Sequence, residues 1–390
     1  MKHWLYKSGW RLLPGLLAAS LTLITARTGV LQPFEHSVYR FLFHVRGEQS
    51  WDDRVTVIEI DQPSLDAIGP FPWPRHHYTE LLDKLTDADS SVVAFDILFA
   101  ESTGDDAALA EAMERHGNVV LATAWNEQQG VIGPNANVVE SAIATGHIHH
   151  HADTDGITRT YNPKINDTPA LSIAAVQNYE PAQLSALASI NSFQQNLWLN
   201  WRGFSDSSPR YSFIDVLNGK IPAATFTNKI VFIGYTGVDQ DVMTTPYNQN
   251  PPSAGVYQHI VAANNLLAQN HLKPIVLPVW VMLMVLSPVG GYILFYRRYR
   301  LHLLANLIII VIWSGGVILA FHSNYLLPTV VPVVTIATTS FLVRLTERLQ
   351  SKLQGGHLQG VKRQGIKLGK EVGKEVCAIK PKSIYKAVVD

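Results

Sequence analysis

The pattern of apolar and polar positions between Val55 and Phe99 predicts a strand, a loop, a helix and a second strand. The apolar runs 55–60 and 91–95 have the length and continuity that are typical of strands buried on both faces of a sheet. The helical segment ELLDKLTDAD between them is long enough for a crossover connection. We therefore expect the two strands to be parallel neighbours.

Each of these two strands ends on a carboxylate, Asp61 after the first and Asp96 within the second. Ligand sites in open parallel sheets collect beyond the carboxyl ends of the strands, so the two acids are candidate binding residues. The alternative is that both acids cap a following turn or helix.

The alternation of helix and strand continues along the chain. NVVLATAW is predicted as a strand, YSFIDVLNGK as a helix and KIVFIGYTG as a late strand that ends in a loop of small residues with Gly234 and Thr236. GVYQHIVAANNLLAQN is predicted as an amphipathic helix. The sequence thus predicts an α/β domain with a mostly parallel or mixed sheet.

Apolar stretches lie on both sides of this domain, at 12–31, 275–296, 303–321 and 326–343. Each is near the roughly 20 residues with which a helix crosses a bilayer. This pattern predicts one span before the domain and three after it. The first stretch fits either a signal-peptide core, over 12–26, or an uncleaved anchor extended to Leu31, and we favour the anchor. The predicted parts are an amino-terminal end with the first span (1–31), an outside domain (32–274), three transmembrane helices (275–343) and a cytoplasmic tail (344–390).

Charge supports this orientation. Residues 32–273 hold 27 acidic residues against 13 Lys and Arg, whereas the rest of the chain has 18 Lys and Arg and four acids. Because basic residues of membrane proteins stay in the cytoplasm, the acidic domain is predicted outside, with Arg297 and Arg298 in an inside turn. The expected location is the bacterial inner membrane, with the main domain periplasmic. The basic tail is expected to bind membrane lipids, and the acidic domain to bind no nucleic acid.

Two further groups of side chains are candidates for binding. Arg75 precedes a helix and can bind an anionic ligand in a fork, or it can pair with Asp61 or Asp96, while the adjacent Trp73 is either a packed anchor or an aromatic wall. His147, His149 and His151 alternate along a predicted strand and are weak candidates for a metal site, the alternative being a solvent-exposed polar edge. The resulting candidate crevice comprises Asp61, Trp73, Arg75, Asp96, Gly234 and Thr236.

Catalytic motifs are missing from the sequence. There is no GxSxG elbow, no HExxH and no phosphate-binding GxxxxGK[ST] loop, and the single Cys377 excludes both a disulfide and paired thiols. We expect neither an enzyme nor a cofactor.

Residues 52–267 resemble the CHASE type-2 domain family, the extracytoplasmic sensory module of bacterial receptor kinases and nucleotide cyclases. The matching pieces, in the order of the family, are VIEIDQPSL, PWPR, FDILF, DTDGITR, NWRG, YSFIDVLNGKIP, KIVFIG and GVYQHIVAANNLL. Phe71 stands where the family's W-P-W-P-R segment has its first tryptophan.

The resemblance implies a receptor-like protein that binds a small ligand or an envelope component outside and signals across the membrane. It also implies a homodimer. Members usually continue into an output domain, so we expect this chain either to act on a separate cytoplasmic partner or to be a truncated receptor. The competing interpretations are a structural or assembly protein of the envelope and, less favoured, a periplasmic hydrolase.

Overall fold

The computed structural model describes residues 2–126, 130–182, 196–237, 242–294 and 299–352. The chain forms two compact units. The sheet unit contains residues 32–276 and 313–329, and the helical unit contains residues 1–31, 277–312 and 330 onward. The predicted basic turn at Arg297 and Arg298, and the tail from residue 353, lie outside the described residues.

The described strands of the sheet unit range from two to eight residues. They are β1 (Val55–Ile60), β2 (Val92–Asp96), β3 (Val119–Asn126), β4 (Gly130–Ile132), β5 (Ala144–His147), β6 (Thr160–Tyr161), β7 (Lys164–Ile165), β8 (Thr168–Pro169), β9 (Leu197–Trp198), β10 (Arg210–Ser212), β11 (Ile230–Tyr235), β12 (Val242–Met243), β13 (Ser253–Ala254), β14 (Lys273–Pro274) and β15 (Tyr325–Leu326). Seven of them form one sheet in the order β10-β1-β11-β2-β3, with β4 and β5 both paired to β3. Only β4 is antiparallel within this sheet, which confirms the predicted mixed α/β fold.

The expected pairing of the first two strands is wrong. β1 and β2 are parallel, but β11 lies between them and pairs with both. The crossover from β1 to β2 thus skips one position, and the late apolar strand fills it. The sequence also predicted a helix from Tyr211, whereas residues 210–212 form the edge strand β10 and the helix begins at Phe213.

Helices cover both faces of the sheet. The helices of the sheet unit are α2 (Gln32–Arg46), α3 (Gln62–Ile68), α4 (Arg75–Asp87), α5 (Asp106–His116), α6 (Ala136–Val139), α7 (Leu171–Tyr179), α8 (Phe213–Leu217) and α9 (Val256–Leu267). Successive residues of β1 point to opposite faces of the sheet and so belong to two different cores. Val57 packs in a cluster with α2, α7 and α9, whereas Ile58 packs in a second cluster with α4, α5, α6 and α8.

Both clusters are closed to solvent. Val57 and Ile58 have no exposed surface, and neither do Phe232 of β11 and Phe95 of β2. Truncation of a buried side chain of this size, such as Ile58→Ala, costs about 2–5 kcal/mol. Helices therefore pack on both faces of the sheet, and this packing holds its carboxyl edge in position.

The helical unit contains α1 (Lys2–Arg27), α10 (Leu277–Leu294), the first part of α11 (Tyr299–His322) and α12 (Val330–Lys352). Its helices pack through small and polar side chains. The Ser287 hydroxyl donates to the Gly15 carbonyl at 3.0 Å and lies 2.9 Å from the Thr339 hydroxyl, which joins α1, α10 and α12. Such close contacts are typical of helices that pack in a membrane.

Two described helices, Leu304–His322 and Val330–Lys352, are long and apolar enough to cross a membrane. A third candidate arises if Arg11–Arg27 and Gln32–Arg46 count together as one broken span, and Pro278–Gly291 is apolar but shorter. Within the described residues, length and composition therefore support two or three spans, whereas the sequence predicted four.

Candidate functional site

One row of residues crosses three neighbouring strands at the carboxyl edge of the sheet. Glu59 of β1 is in register with Gly234 of β11, which is in register with Asp96 of β2. Residues in register on parallel strands project from the same face. Two carboxylates therefore flank a glycine on the face that α9 covers.

The first turn of α9 closes over this row. The Tyr257 hydroxyl donates to Glu59 Oε1 at 2.5 Å, and His259 Nε2 lies 3.9 Å from Asp96 Oδ1. Between them, a Cβ added at Gly234 would lie 2.6 Å from Cγ2 of Val256. A glycine is needed here because any side chain would collide with the helix.

Glu59 is a buried carboxylate, with 6% of its surface exposed. Burial raises its pKa, although the hydrogen bond from Tyr257 and the charge of Arg210 oppose that shift. Arg210 Nη1 lies 3.4 Å from Glu59 Oε2, and its other nitrogen lies 3.1 Å from Asp206. Burial and the neighbouring Glu59 also raise the pKa of Tyr257, so the phenol keeps its proton and acts as a donor. Each oxygen of Glu59 thus has a partner within the protein, Tyr257 on one side and Arg210 on the other.

The second half of the row differs in charge. Burial lowers the pKa of His259 to about 3, so its imidazole is neutral at physiological pH, and the ring stacks on Phe232 with 6.4 Å between the ring centres. The contact with Asp96 is therefore made by a neutral ring and is not an ion pair.

Asp61 lies at the end of β1 but has a capping role. It is the N-cap of α3, where Oδ1 accepts hydrogen bonds from the Ser64 backbone at 3.1 Å and from the Ser212 hydroxyl at 2.8 Å. Thr236 is adjacent, since its backbone N–H donates to the Ile60 carbonyl at 3.0 Å. Asp61 and Thr236 therefore border the carboxyl edge without entering the row.

Trp73 and Arg75 lie elsewhere. Trp73 is 3% exposed, donates from Nε1 to the Gly69 carbonyl and belongs to the core cluster of α4, α5 and α8, on the face opposite Glu59. Arg75 pairs with neither Asp61 nor Asp96, contrary to the sequence-based prediction. Its Nε lies 3.3 Å from Asp106 Oδ1, and its guanidinium lies 4.8 Å from the centre of the Phe99 ring. The predicted crevice residues are thus divided between two faces of the sheet.

The three candidate histidines have unequal environments. β5 ends at His147, which is 1% exposed and whose pKa burial lowers to about 4. His149 and His151 follow the strand and are exposed. Among the described residues, no three His, Cys, Asp or Glu side chains come together in a way that could hold a metal ion.

Glu59, Arg210 and Tyr257 were not singled out from the sequence. A signal for Glu59 was present, because VTVIEI contains one acid within a run that is otherwise apolar or β-branched. A buried charge needs partners, so such an acid indicates a polar contact from a neighbouring element. The partners themselves are 151 and 198 positions away in the sequence, and no local pattern identifies them.

The sequence matches the CHASE2 domain family over residues 16–293, more than half of the chain. No curated protein and no solved structure matches the chain. The matched region includes the whole row of Glu59, Gly234 and Asp96 and the covering helix α9. The chain therefore belongs to the CHASE2 domain family, a family of extracytoplasmic sensory domains.

Proposed function

We propose that this protein is a membrane receptor-like sensor whose sheet unit binds a small ligand at the carboxyl edge of the sheet, next to Glu59 and Asp96. The membership in a sensory family supports the general role. The two carboxylates favour a ligand with an amine, a guanidine or another donor group, since carboxylates accept hydrogen bonds and attract cations.

The proposed topology has four spans in the bacterial inner membrane, with the sheet unit in the periplasm. The segregation of charge supports it, with 27 acids against 13 Lys and Arg in residues 32–273. Polar contacts inside the helical unit also support it, because they join all four helices. Besides the contacts of Ser287, Asn306 Nδ2 of α11 donates to the Ser340 hydroxyl of α12 at 2.6 Å.

The observation that carries the proposed signalling is a continuous structural link from the carboxyl edge to the connection between α11 and α12. The link begins with α9, whose first turn contacts Glu59 and Asp96. Twelve residues give this helix a length of about 18 Å. Because α9 is buried along its whole length, a displacement of its first turn is passed on to its last turn.

Three asparagines continue the link from the last turn of α9. Asn265 exchanges two hydrogen bonds with the backbone of Asn200, at 2.8 and 3.1 Å. The side chain of Asn200 donates to Asn324 Oδ1 at 2.8 Å. Asn324 lies in the short connection that follows α11, so the end of that helix is bonded to the sensory core.

The two backbone segments are also paired directly. β14, just after α9, is parallel to β15, with Lys273 opposite Tyr325 and Pro274 opposite Leu326. Backbone N–H groups of Lys273 and Ile275 donate to the carbonyls of Asn324 and Leu326, both at 2.8 Å. We propose that a ligand that shifts the first turn of α9 changes the position of this connection and, through it, of the last two apolar helices.

A ligand screen on the full-length protein in lipid nanodiscs tests this proposal. Primary amines, guanidines and amino acids are screened for their effect on the melting temperature of the protein. A compound that binds preferentially to the folded state raises this temperature. We expect at least one such compound, and we expect Glu59→Gln and Asp96→Asn to abolish its effect while Asp83→Asn, at an exposed ion pair with Arg115, does not. If the compound still raises the melting temperature of both the Glu59→Gln and the Asp96→Asn variants, the proposed site is refuted.

Hydrogen exchange on the same samples separates a sensor from an assembly protein. For a sensor, the bound compound changes amide exchange in residues 265–275 and 324–326. A compound or envelope component that binds and leaves exchange in both segments unchanged would favour the structural role.

A further inference from the structure

Helix α2 has two apolar faces, and only one of them is covered. Tyr39, Leu42 and Phe43 are buried in the sheet unit. On the other side, Phe34 is 60% exposed, Phe41 58% and Val45 42%. These three positions are spaced by seven and four residues, so they form one stripe along the helix.

The covered face fixes the rotation of α2. The Arg159 guanidinium lies 4.9 Å from the centre of the Tyr39 ring and bonds Asp153 and Asp155 at 2.8 and 2.7 Å. His36 Nδ1 lies 3.4 Å from Asp155. With these partners on the buried side, the stripe of Phe34, Phe41 and Val45 necessarily faces outward.

Two contacts place α2 at the level where apolar helices begin and end. Glu35 Oε2 accepts a hydrogen bond from the Thr329 backbone at 3.0 Å, and Thr329 immediately precedes the apolar helix Val330–Lys352. The Phe43 ring lies 4.9 Å from that of Phe321, at the end of the apolar helix Leu304–His322.

These two helix ends belong to the same side of a membrane, because only seven residues, 323–329, join them. Glu35 and Phe43 are eight positions apart, about 12 Å along the helix axis. Contacts with both ends of this short connection, at points so far apart on α2, are what a helix lying along the membrane surface would make.

The charge and surroundings of α2 also suit a lipid surface. Gln32–Arg46 contains four basic residues against the single acid Glu35, within a unit that is otherwise strongly acidic. Two of them, Arg46 and His36, are bonded on the covered side, whereas Arg40 is half-buried and His44 is exposed. Phe204, a further exposed aromatic residue, lies beside the Tyr247 ring that packs on His44 of α2. Aromatic residues and basic groups together are typical of helices that lie in the lipid headgroup region.

We propose that α2 is an interfacial helix that inserts Phe34, Phe41 and Val45 into the outer leaflet of the bilayer. The partner of this stripe is thus the membrane itself. The sheet unit rests on the bilayer through a surface of its own, in addition to its connections to the apolar helices.

Spin-label accessibility in the full-length protein tests this. After Cys377→Ser removes the single native thiol, a nitroxide is attached at Phe34→Cys or Phe41→Cys, and at Glu111→Cys on the exposed side of α5 as the control. In nanodiscs, we expect the labels at 34 and 41 to collide with oxygen at least several times more often, relative to a water-soluble nickel complex, than the label at 111. Two separate labelled positions guard against a local disturbance by either one.

Two results would overturn the proposal. Labels at 34 and 41 that meet the nickel complex as readily as the label at 111 would mean that the stripe faces water. Labels that neither reagent reaches, with a short spin–spin distance between equivalent positions, would mean that a second copy of the chain covers the stripe.

Discussion

The hydroxyl of Tyr257 donates a 2.5 Å hydrogen bond to Oε1 of Glu59, and this contact joins the first turn of α9 to the end of β1. Both side chains are buried, 3% and 6% exposed respectively. The contact therefore lies where the proposed ligand site and the proposed signalling helix meet.

Tyr257→Phe removes the donor and leaves the buried Glu59 with Arg210 as its remaining partner. A buried acceptor that loses its hydrogen bond costs about 1–3 kcal/mol, so we expect the free energy of unfolding to fall by that amount. Chemical unfolding of the full-length protein in detergent, followed by tryptophan fluorescence, measures the change. Tyr211→Phe at the sheet edge is the control, and an equal loss there would contradict the specific role of Tyr257.

Glu59→Gln is expected to change the dependence of stability on pH. Burial raises the pKa of Glu59 above its ordinary value of 4.5, so the folded protein holds this proton more tightly than the unfolded chain. Wild-type stability should therefore fall as the pH rises from about 4.5 through the raised pKa, and the variant should lack this fall. Melting temperatures of both proteins between pH 4 and about 8 measure the effect. A wild-type stability that rises with pH relative to that of the variant would show that the sign is wrong.

Gly234→Ala is expected to destabilise the protein by about 1–3 kcal/mol, because its Cβ would lie 2.6 Å from Val256. The double variant Gly234→Ala, Val256→Ala should recover part of the loss, since the smaller residue makes room. Gly104→Ala is a matched control, with no atom within 4 Å of the added Cβ. Unfolding curves are measured for the wild type, the single variants Gly234→Ala and Val256→Ala, the double variant and the control. A double variant that loses more stability than the sum of the two single losses would argue against the close approach.

Asn324 has a left-handed backbone with φ of 64° and also accepts from Asn200. Asn324→Gly keeps this backbone accessible and removes only the side-chain contact, whereas Asn324→Ala disturbs both. We expect amide exchange at Lys273 and Ile275 to accelerate in both variants, and more in the alanine variant. Exchange that is unchanged in both would mean that this connection is not held by Asn324.

The fold was predictable where a single segment contains the information. The strands β1 and β2 were predicted from continuous apolar runs, which indicate burial on both faces of a sheet. Helix α9 was predicted from apolar residues repeated at the period of a helix, which indicates burial of one face. The position of β11 between β1 and β2 was not predictable in this way. It depends on which edge remains open after the crossover, and that is a property of the whole sheet.

The candidate site was predictable in part for the same reason. The carboxyl edge of the sheet and the position of Asp96 were predicted from the ends of the strands. The need for a glycine at position 234 becomes evident only from the structure, where α9 passes close over that residue. Of the two alternatives for Arg75, the pairing with Asp61 or Asp96 is wrong, because its partner Asp106 lies 31 positions further along, in another helix. Trp73 precedes Arg75 closely in the sequence, yet neither side chain lies on the face of the Glu59 row.

The position of β11 also has a consequence for how the protein is made. β1 and β2 are synthesised early, but the strand between them is completed only at Tyr235. Until then, each has an open edge of unpaired N–H and C=O groups, which is a template for association with other chains. Long-range pairing of this kind is slow to form. We therefore expect the nascent domain to be most prone to association before β11 is made, and a chain that stops before residue 230 to keep two unpaired strand edges.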